Sequence, residues 1–215
     1  MALDIRTFTV GPLQENCYFV REPGSERAIV VDPGAESQRL ADSIASLGVT
    51  VEAILLTHTH FDHVGAVAAL ARETGAPVYC PALERAVLAD LDAIYGATGF
   101  GPFESYEADE VLSGGEHLEL AGIELDVAFT PGHSPGHLTY AIPAHDTLID
   151  GDVLFRGSVG RVDIPGGDWD TLMASIASLL ETHPPQTAVL PGHGPWTTLE
   201  HERASNPFLT ELARR

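Results

Sequence analysis

Short apolar runs closed by glycine or proline alternate along this chain with stretches in which apolar residues recur at helical spacing. Runs rich in Val, Ile and Leu predict strands at residues 28–31, 51–56, 77–80, 117–120, 123–129, 138–142, 147–149 and 187–190. Helices are predicted at 36–47, 64–74, 82–95 and 169–182; in the first, Leu40, Ile44 and Leu47 share a face and Gly48 supplies a stop. Ala121 and Gly122 separate two strand-like runs closely enough for a hairpin, which adds an antiparallel component to the strand-helix alternation. Thr197 and Glu200 have capping-box spacing, so a last helix is predicted to start there and to be interrupted before Pro207. The pattern implies an α/β or α+β fold with layered sheets, and 215 residues suit a single domain spanning 1–215. Residues 96–110 follow neither period and carry Phe100, Phe103 and Tyr106 among three glycines. They read as a long surface loop, serving either as a lid over substrate or as ordinary packing.

Composition narrows the function classes. The formal charge is −20, from 31 acidic residues against 11 basic ones, and every basic residue is Arg. Such a surface repels phosphate backbones and anionic bilayers, so neither nucleic acid nor membrane is an expected partner. No apolar run approaches the ~18 residues of a membrane span. The start, MALDIRTFTV, lacks the basic and apolar regions of a secretory leader, so a cytoplasmic location is expected. Cys17 and Cys80 stand far apart and read as small buried residues rather than a disulfide.

Candidate chemistry concentrates in Thr57-His58-Thr59-His60-Phe61-Asp62-His63, directly after the apolar run VEAILL. In extended chain, residues two apart face the same way, so His58 and His60 can grip one ion. Asp62 and His63 fall where the chain turns into VGAVAALARE and point to a neighbouring position, which suggests two metals. Three further candidates each follow a predicted strand: His133 in Thr-Pro-Gly-His, Asp152 in Asp-Gly-Asp and His193 in Pro-Gly-His. Strand ends at one sheet edge gather in space, so these seven side chains can line one crevice. A carboxylate has two oxygens, and Asp152, with no ligand neighbour of its own, suits a bridge between the ions. The remaining histidines, His117, His137, His145, His183 and His201, read as structural, although His137 repeats the Pro-Gly-His of His133. Asp32, ending the run AIVV, is either a turn residue or a carboxylate behind the site that orients a ligand.

These residues carry a family resemblance. Asp32, the His58-to-His63 block, His133, Asp152 and His193 fall in the order of the five motifs of the metallo-β-lactamase superfamily. Gly-Pro-Leu-Gln-Glu-Asn-Cys at 11–17, Thr-Pro-Gly-His-Ser-Pro-Gly-His at 130–137, Gly-Asp-Val-Leu-Phe from Gly151 and Asn-Pro-Phe at 206–208 resemble the short, single-domain glyoxalase II (hydroxyacylglutathione hydrolase) branch. The resemblance implies an αββα sandwich of two mixed sheets flanked by helices. It also implies a first metal on His58, His60 and His133, a second on Asp62, His63 and His193, and Asp152 between them.

The expected chemistry is hydrolysis of a thioester, S-lactoylglutathione or a related acyl thiol, by metal-bound hydroxide. Asp62 and Asp152 take catalytic as well as metal-holding roles. Nitrogen and oxygen ligands make zinc the expected ion, with iron or manganese as alternatives. Longer glyoxalase II enzymes continue into a helical domain with basic residues for glutathione; here a short tail follows Trp196, which leaves the thiol open. Arg156 and Arg161 are the nearest cations for a substrate carboxylate, or else ordinary surface partners of acidic residues. A mononuclear-iron persulfide dioxygenase and a hydrolase of other esters or lactones are the alternatives on this fold. A flavodiiron-type protein would show His-x-Glu in place of His58-x-His60, and a secreted β-lactamase would carry a leader.

Overall fold

In the computed structural model, which describes residues 2–209, the strands sort into two six-stranded sheets and one two-stranded ribbon. The first sheet runs β1 (Asp4–Val10), β2 (Glu15–Arg21), β3 (Arg27–Val31), β4 (Thr50–Leu55), β5 (Val78–Pro81) and β6 (Glu110–Leu112), in that spatial order. Its pairs are antiparallel from β1 to β3 and parallel from β3 to β6. Next along the chain come β7 (His117–Leu120), β8 (Ile123–Phe129), β9 (Leu138–Ile142) and β10 (Thr147–Gly151). The ribbon of β11 (Leu154–Phe155) and β12 (Ser158–Val159) follows, then β13 (Ala188–Pro191) and β14 (Thr197–Thr198). The second sheet is ordered β14-β13-β10-β9-β8-β7, with β10 and β13 its one parallel pair.

Seven helices complete the described chain: α1 (Ser37–Leu47), α2 (Phe61–Val64), α3 (Val67–Thr74), α4 (Arg85–Leu88), α5 (Leu91–Tyr95), α6 (Trp169–Thr182) and α7 (Leu199–Ser205). Both faces of each sheet are covered, which is why the central strands read as unbroken apolar runs. In β2, Cys17 and Phe19 pack toward α1 and α3, whereas Tyr18 and Val20 face the second sheet. In β9 and β10, Tyr140 and Ile149 face the first sheet, whereas Ala141 and Leu148 meet Leu172, Ile176 and Leu179 of α6. The three cores therefore lie helix to sheet, sheet to sheet and sheet to helix, which is the expected αββα sandwich. Cys17 and Cys80 are free and buried.

Several boundaries differ from the sequence expectation. The 64–74 helix starts earlier, as α2, and pauses at Gly65 and Ala66 before α3, so Asp62 and His63 sit on a helical turn. The 82–95 helix is three pieces: a 3₁₀ turn at Ala82–Glu84, α4, and α5 after Asp90, whose backbone leaves helical dihedrals. The last helix is capped by Thr198, whose hydroxyl accepts from His201 N–H, one residue later than expected; Thr197 is instead paired with Val189 in β14. The 96–110 segment opens with a 3₁₀ turn at Gly96–Thr98, and Glu110 already belongs to β6.

Candidate metal centre

The topology brings five strand ends to one edge. β3 and β4 are parallel, so Asp32 and His58 leave them side by side. β8 and β10 both run antiparallel to β9, and β13 runs parallel to β10, so His133, Asp152 and His193 also emerge together. The ligand atoms of His58, His60 and His133 lie within 4.8 Å of one another, as do those of Asp62, His63 and His193. Asp152 stands between the two groups: Oδ1 is 3.4 Å from His63 Nε2, and Oδ2 is 3.4 Å from His133 Nε2 and 3.6 Å from His193 Nε2. All seven side chains singled out from the sequence as metal ligands are thus in one cluster.

The donors fit divalent metal coordination. His58 Nε2, His63 Nε2 and Asp152 Oδ1 are buried without a hydrogen-bond partner, and such orphaned atoms cost about 1–3 kcal/mol each unless something coordinates them. His60 Nδ1 and His133 Nε2 point at each other across 2.8 Å. Asp32 also lies close to His58 and His63, but both its oxygens are engaged: Oδ1 accepts from Thr57 N–H (2.7 Å), Oδ2 from the Thr57 hydroxyl (2.6 Å) and from His63 Nδ1 (3.0 Å). It therefore orients ligands from behind, one of the two roles its sequence position allowed.

These hydrogen bonds also assign the tautomers. Thr57 spends its proton on Asp32, so its oxygen accepts from His58 Nδ1–H at 3.0 Å and the His58 Nε2 lone pair faces the crevice. His63 Nδ1–H donates to Asp32 and so turns Nε2 toward the crevice, while His133 Nδ1–H donates to the Arg161 carbonyl at 2.8 Å and leaves its Nε2 lone pair facing the crevice. His137 is the reverse case. Its Nε2 accepts from the Asp152 N–H at 3.1 Å, so its Nδ1–H faces Thr130 Oγ1 at 3.2 Å and no lone pair remains for an ion. His137 is thus a buried structural histidine.

Electrostatics separates the two groups. Burial, reinforced by neighbouring histidines, pushes His58 far below the ordinary imidazole range and His60 to about 4, and burial lowers His133 too. Those rings are neutral and ready to bind a cation. Burial also opposes charge on His63 and His193, but Asp152 and Asp32 beside the first and Asp62 beside the second outweigh it and raise both. Asp62 and Asp152 are held below the usual carboxylate range by those histidines despite their own burial.

The N-terminal motif at 11–17, assigned no role from sequence, turns out to build the turn that carries His193. Asn16 Nδ2 donates to the carbonyls of Pro191 (3.1 Å) and Gly194 (2.8 Å), and the Tyr18 hydroxyl donates to Pro191 O at 2.7 Å. Glu15 is wholly buried behind His63, 3.9 Å from its Nδ1, and burial raises its carboxyl well above the ordinary range. Gly34 and Gly192 permit close approach: a Cβ on Gly34 would lie 1.5 Å from Asp62 O, and one on Gly192 would lie 2.3 Å from Asp152 Oδ1. Arg156 is exposed, and the Arg161 guanidinium is exposed and paired with Asp163 at 2.8 and 2.9 Å, so only the Arg161 main chain meets the site. Phe61, between His60 and Asp62, stacks on Phe100 with ring centres 5.0 Å apart and touches Phe103, so part of the 96–110 segment walls the crevice. Phe103 and Tyr106 also pack against the first helix-to-sheet core.

An αββα sandwich with histidine and aspartate clusters on the edge shared by its two sheets defines a class of metal-dependent hydrolase. Comparison with known proteins agrees. The sequence profile of the metallo-β-lactamase superfamily matches residues 10–193, and the chain belongs to that superfamily. It is 40% identical over 209 residues to the Bacillus subtilis probable metallo-hydrolase YqgX, covering 95% of this chain and 96% of the relative. To the Haemophilus influenzae hydroxyacylglutathione hydrolase GloC it is 32% identical, covering 96% and 98%. Among solved structures, the BLEG-1 B3 metallo-β-lactamase superposes with a TM-score of 0.90 at 39% identity, covering 96% of this chain and 99% of that one. A di-iron-bound form of TTHA1623 superposes with a TM-score of 0.84 at 43% identity, covering 95% and 100%. No helix among the described residues is long and apolar enough to cross a membrane.

Proposed function

We propose that this chain hydrolyses the thioester of a small acyl thiol, in the cytoplasm, with S-lactoylglutathione as the first substrate to test. The carrying observation is the position of Asp152, within 3.6 Å of His63, His133 and His193 and so between two sets of nitrogen and oxygen donors. His58, His60 and His133 would hold one divalent ion and Asp62, His63 and His193 a second, with Asp152 reaching both; zinc suits the donors, and iron or manganese are alternatives. Bound there, two cations supply a Lewis acid for the acyl oxygen and an acidified water near neutral pH.

The chain's own residues do the rest. Asp32, Thr57 and the Arg161 carbonyl fix His63, His58 and His133 so that each presents Nε2. His137 holds the Asp152 main chain, and Asn16 with Tyr18 holds the turn before His193. Phe61, Phe100 and Phe103 line a hollow beside Asp62 and offer an apolar wall to the acyl group. A thiol with a pKa of about 8.5 leaves as thiolate near neutral pH, so no protein acid is required. The hydroxyacylglutathione hydrolase named among the relatives supports this reading.

The BLEG-1 structure favours a second reading, opening of a β-lactam ring on the same ligands. Steady-state hydrolysis of S-lactoylglutathione and of a chromogenic β-lactam, with metal content measured on the same sample, separates the two. Two ions per chain with fast thioester turnover is the expected result. Two ions with turnover of the β-lactam alone would replace the thioesterase reading, and one iron with oxygen consumption on a persulfide would replace both.

A further inference from the structure

Glu84 is a buried carboxylate, 4% exposed, and among the described residues its hydrogen bonds go to no proposed metal-ligand side chain and no ion pair reaches it. Four donors reach it instead, and they divide evenly. Oε2 accepts from Thr59 N–H (2.7 Å) and from the Thr59 hydroxyl (2.9 Å). Oε1 accepts from Gly136 N–H (2.9 Å) and from the Ser134 hydroxyl. Thr59 lies between His58 and His60, and Ser134 follows His133. One oxygen therefore holds the loop of two ligands and the other holds the loop of the third. The second loop is seated tightly, since a Cβ on Gly136 would lie 2.7 Å from Glu84 Cγ.

We infer that Glu84 is a positioning residue that sets the distance between the His58–His60 loop and the His133 loop, and so tunes metal affinity at that position selectively. The neighbouring position has other supports. Asp62 and His63 ride on α2, Asp32 anchors His63, and Asn16 anchors the turn of His193; none of these contacts runs through Glu84. A carboxylate is an acceptor at both oxygens, and no other side chain of this length is. Glu84→Gln keeps the shape but aims an N–H₂ at two donors, which frees one loop. The Thr59 and Ser134 letters of the two histidine motifs are explained by the same contact: they are the donors through which the ligands are spaced.

This inference rests on the two-metal reading above, and the experiment separates their failures. Zinc affinity is titrated against a chromophoric chelator in the whole protein, in His193→Ala and His58→Ala backgrounds that cripple one position each. Glu84→Gln is expected to weaken zinc about 10- to 100-fold in the His193→Ala background and to leave the His58→Ala background within about threefold. Ser134→Ala, which removes one donor and leaves Gly136 N–H in place, is expected to act in the same direction by a smaller factor and guards against a misfolded Gln variant. An equal loss in both backgrounds, or a drop in melting temperature with unchanged zinc affinity, would mean that Glu84 is merely structural. Failure of the parent protein to bind two zinc ions would overturn the two-metal reading instead.

Discussion

The main-chain N–H of Asp152 points at His137 Nε2 across 3.1 Å, so the second histidine of the Pro-Gly-His repeat supports the proposed bridging carboxylate and offers no lone pair of its own. His133 and His137 carry the same local sequence, yet their lone pairs serve opposite ends: one faces the crevice, the other a backbone donor. Removing His137 strands a buried N–H, at a cost of about 1–3 kcal/mol. His137→Ala is therefore expected to melt lower and turn over more slowly while still binding two metals. Metal analysis that finds one ion lost, with melting unchanged, would make His137 a ligand.

Asp152→Ala tests the shared carboxylate itself. Its two oxygens reach histidines from both groups, so truncation removes a donor from each position at once. The expected result is metal content below one per chain under dialysis and a rate lower by more than about a hundredfold. Retention of both ions at normal rate would remove Asp152 from its bridging place.

How much of this was legible before the structure depended on whether the signal was local. The His58-to-His63 block stands out because its ligands are crowded into one strand end and one helical turn, and His133, Asp152 and His193 because each follows an apolar run. Glu84 is invisible by that logic: it sits in a stretch that reads simply as helix, and only the folded chain shows it facing Thr59 and Ser134. β1 and β2 were missed for a related reason. β2 opens on Glu15 and Asn16, polar residues that are nonetheless buried because they serve the site and not the core, which leaves only a four-residue apolar run from Cys17 to Val20. The αββα layering is legible from the resemblance carried by the order of motifs, whereas the cap at Thr198 is set by the pairing of Thr197 and Thr198 with β13.

The cap of α6 makes a pH prediction. Asp168 Oδ1 accepts from Thr171 N–H at 2.8 Å, and this bond holds the Asp168 carboxyl below its ordinary range. A folded pKa lower than the unfolded one stabilises the fold above the unfolded pKa, and that stabilisation is lost as pH falls through the folded value. Asn caps a helix about as well as Asp without titrating. The melting temperature of the parent minus that of Asp168→Asn should therefore be larger at about pH 7 than at about pH 3. A difference that is flat, or that grows in acid, would show that the cap charge plays no part.

Gly192 offers the sharpest test of how tightly the crevice is built. It lies just before His193, and its main chain both accepts from Asn16 N–H at 2.8 Å and donates to Gly151 O at 2.7 Å, so it cannot retreat. A methyl there would meet Asp152 Oδ1 at 2.3 Å and His63 Cε1 at 2.6 Å, both on the ligands themselves. Relief must come from moving Asp152 or His63 by the better part of an ångström, a displacement that can cost about a hundredfold in rate. The surrounding core of Leu190, Ile149 and Tyr140 is untouched, so the fold should survive. Gly192→Ala is thus expected to keep its circular dichroism and to lose about a hundredfold in kcat, with weakened metal binding. An active variant with two ions would show that Asp152 and His63 have slack, and that the site tolerates ligand movement that this packing forbids.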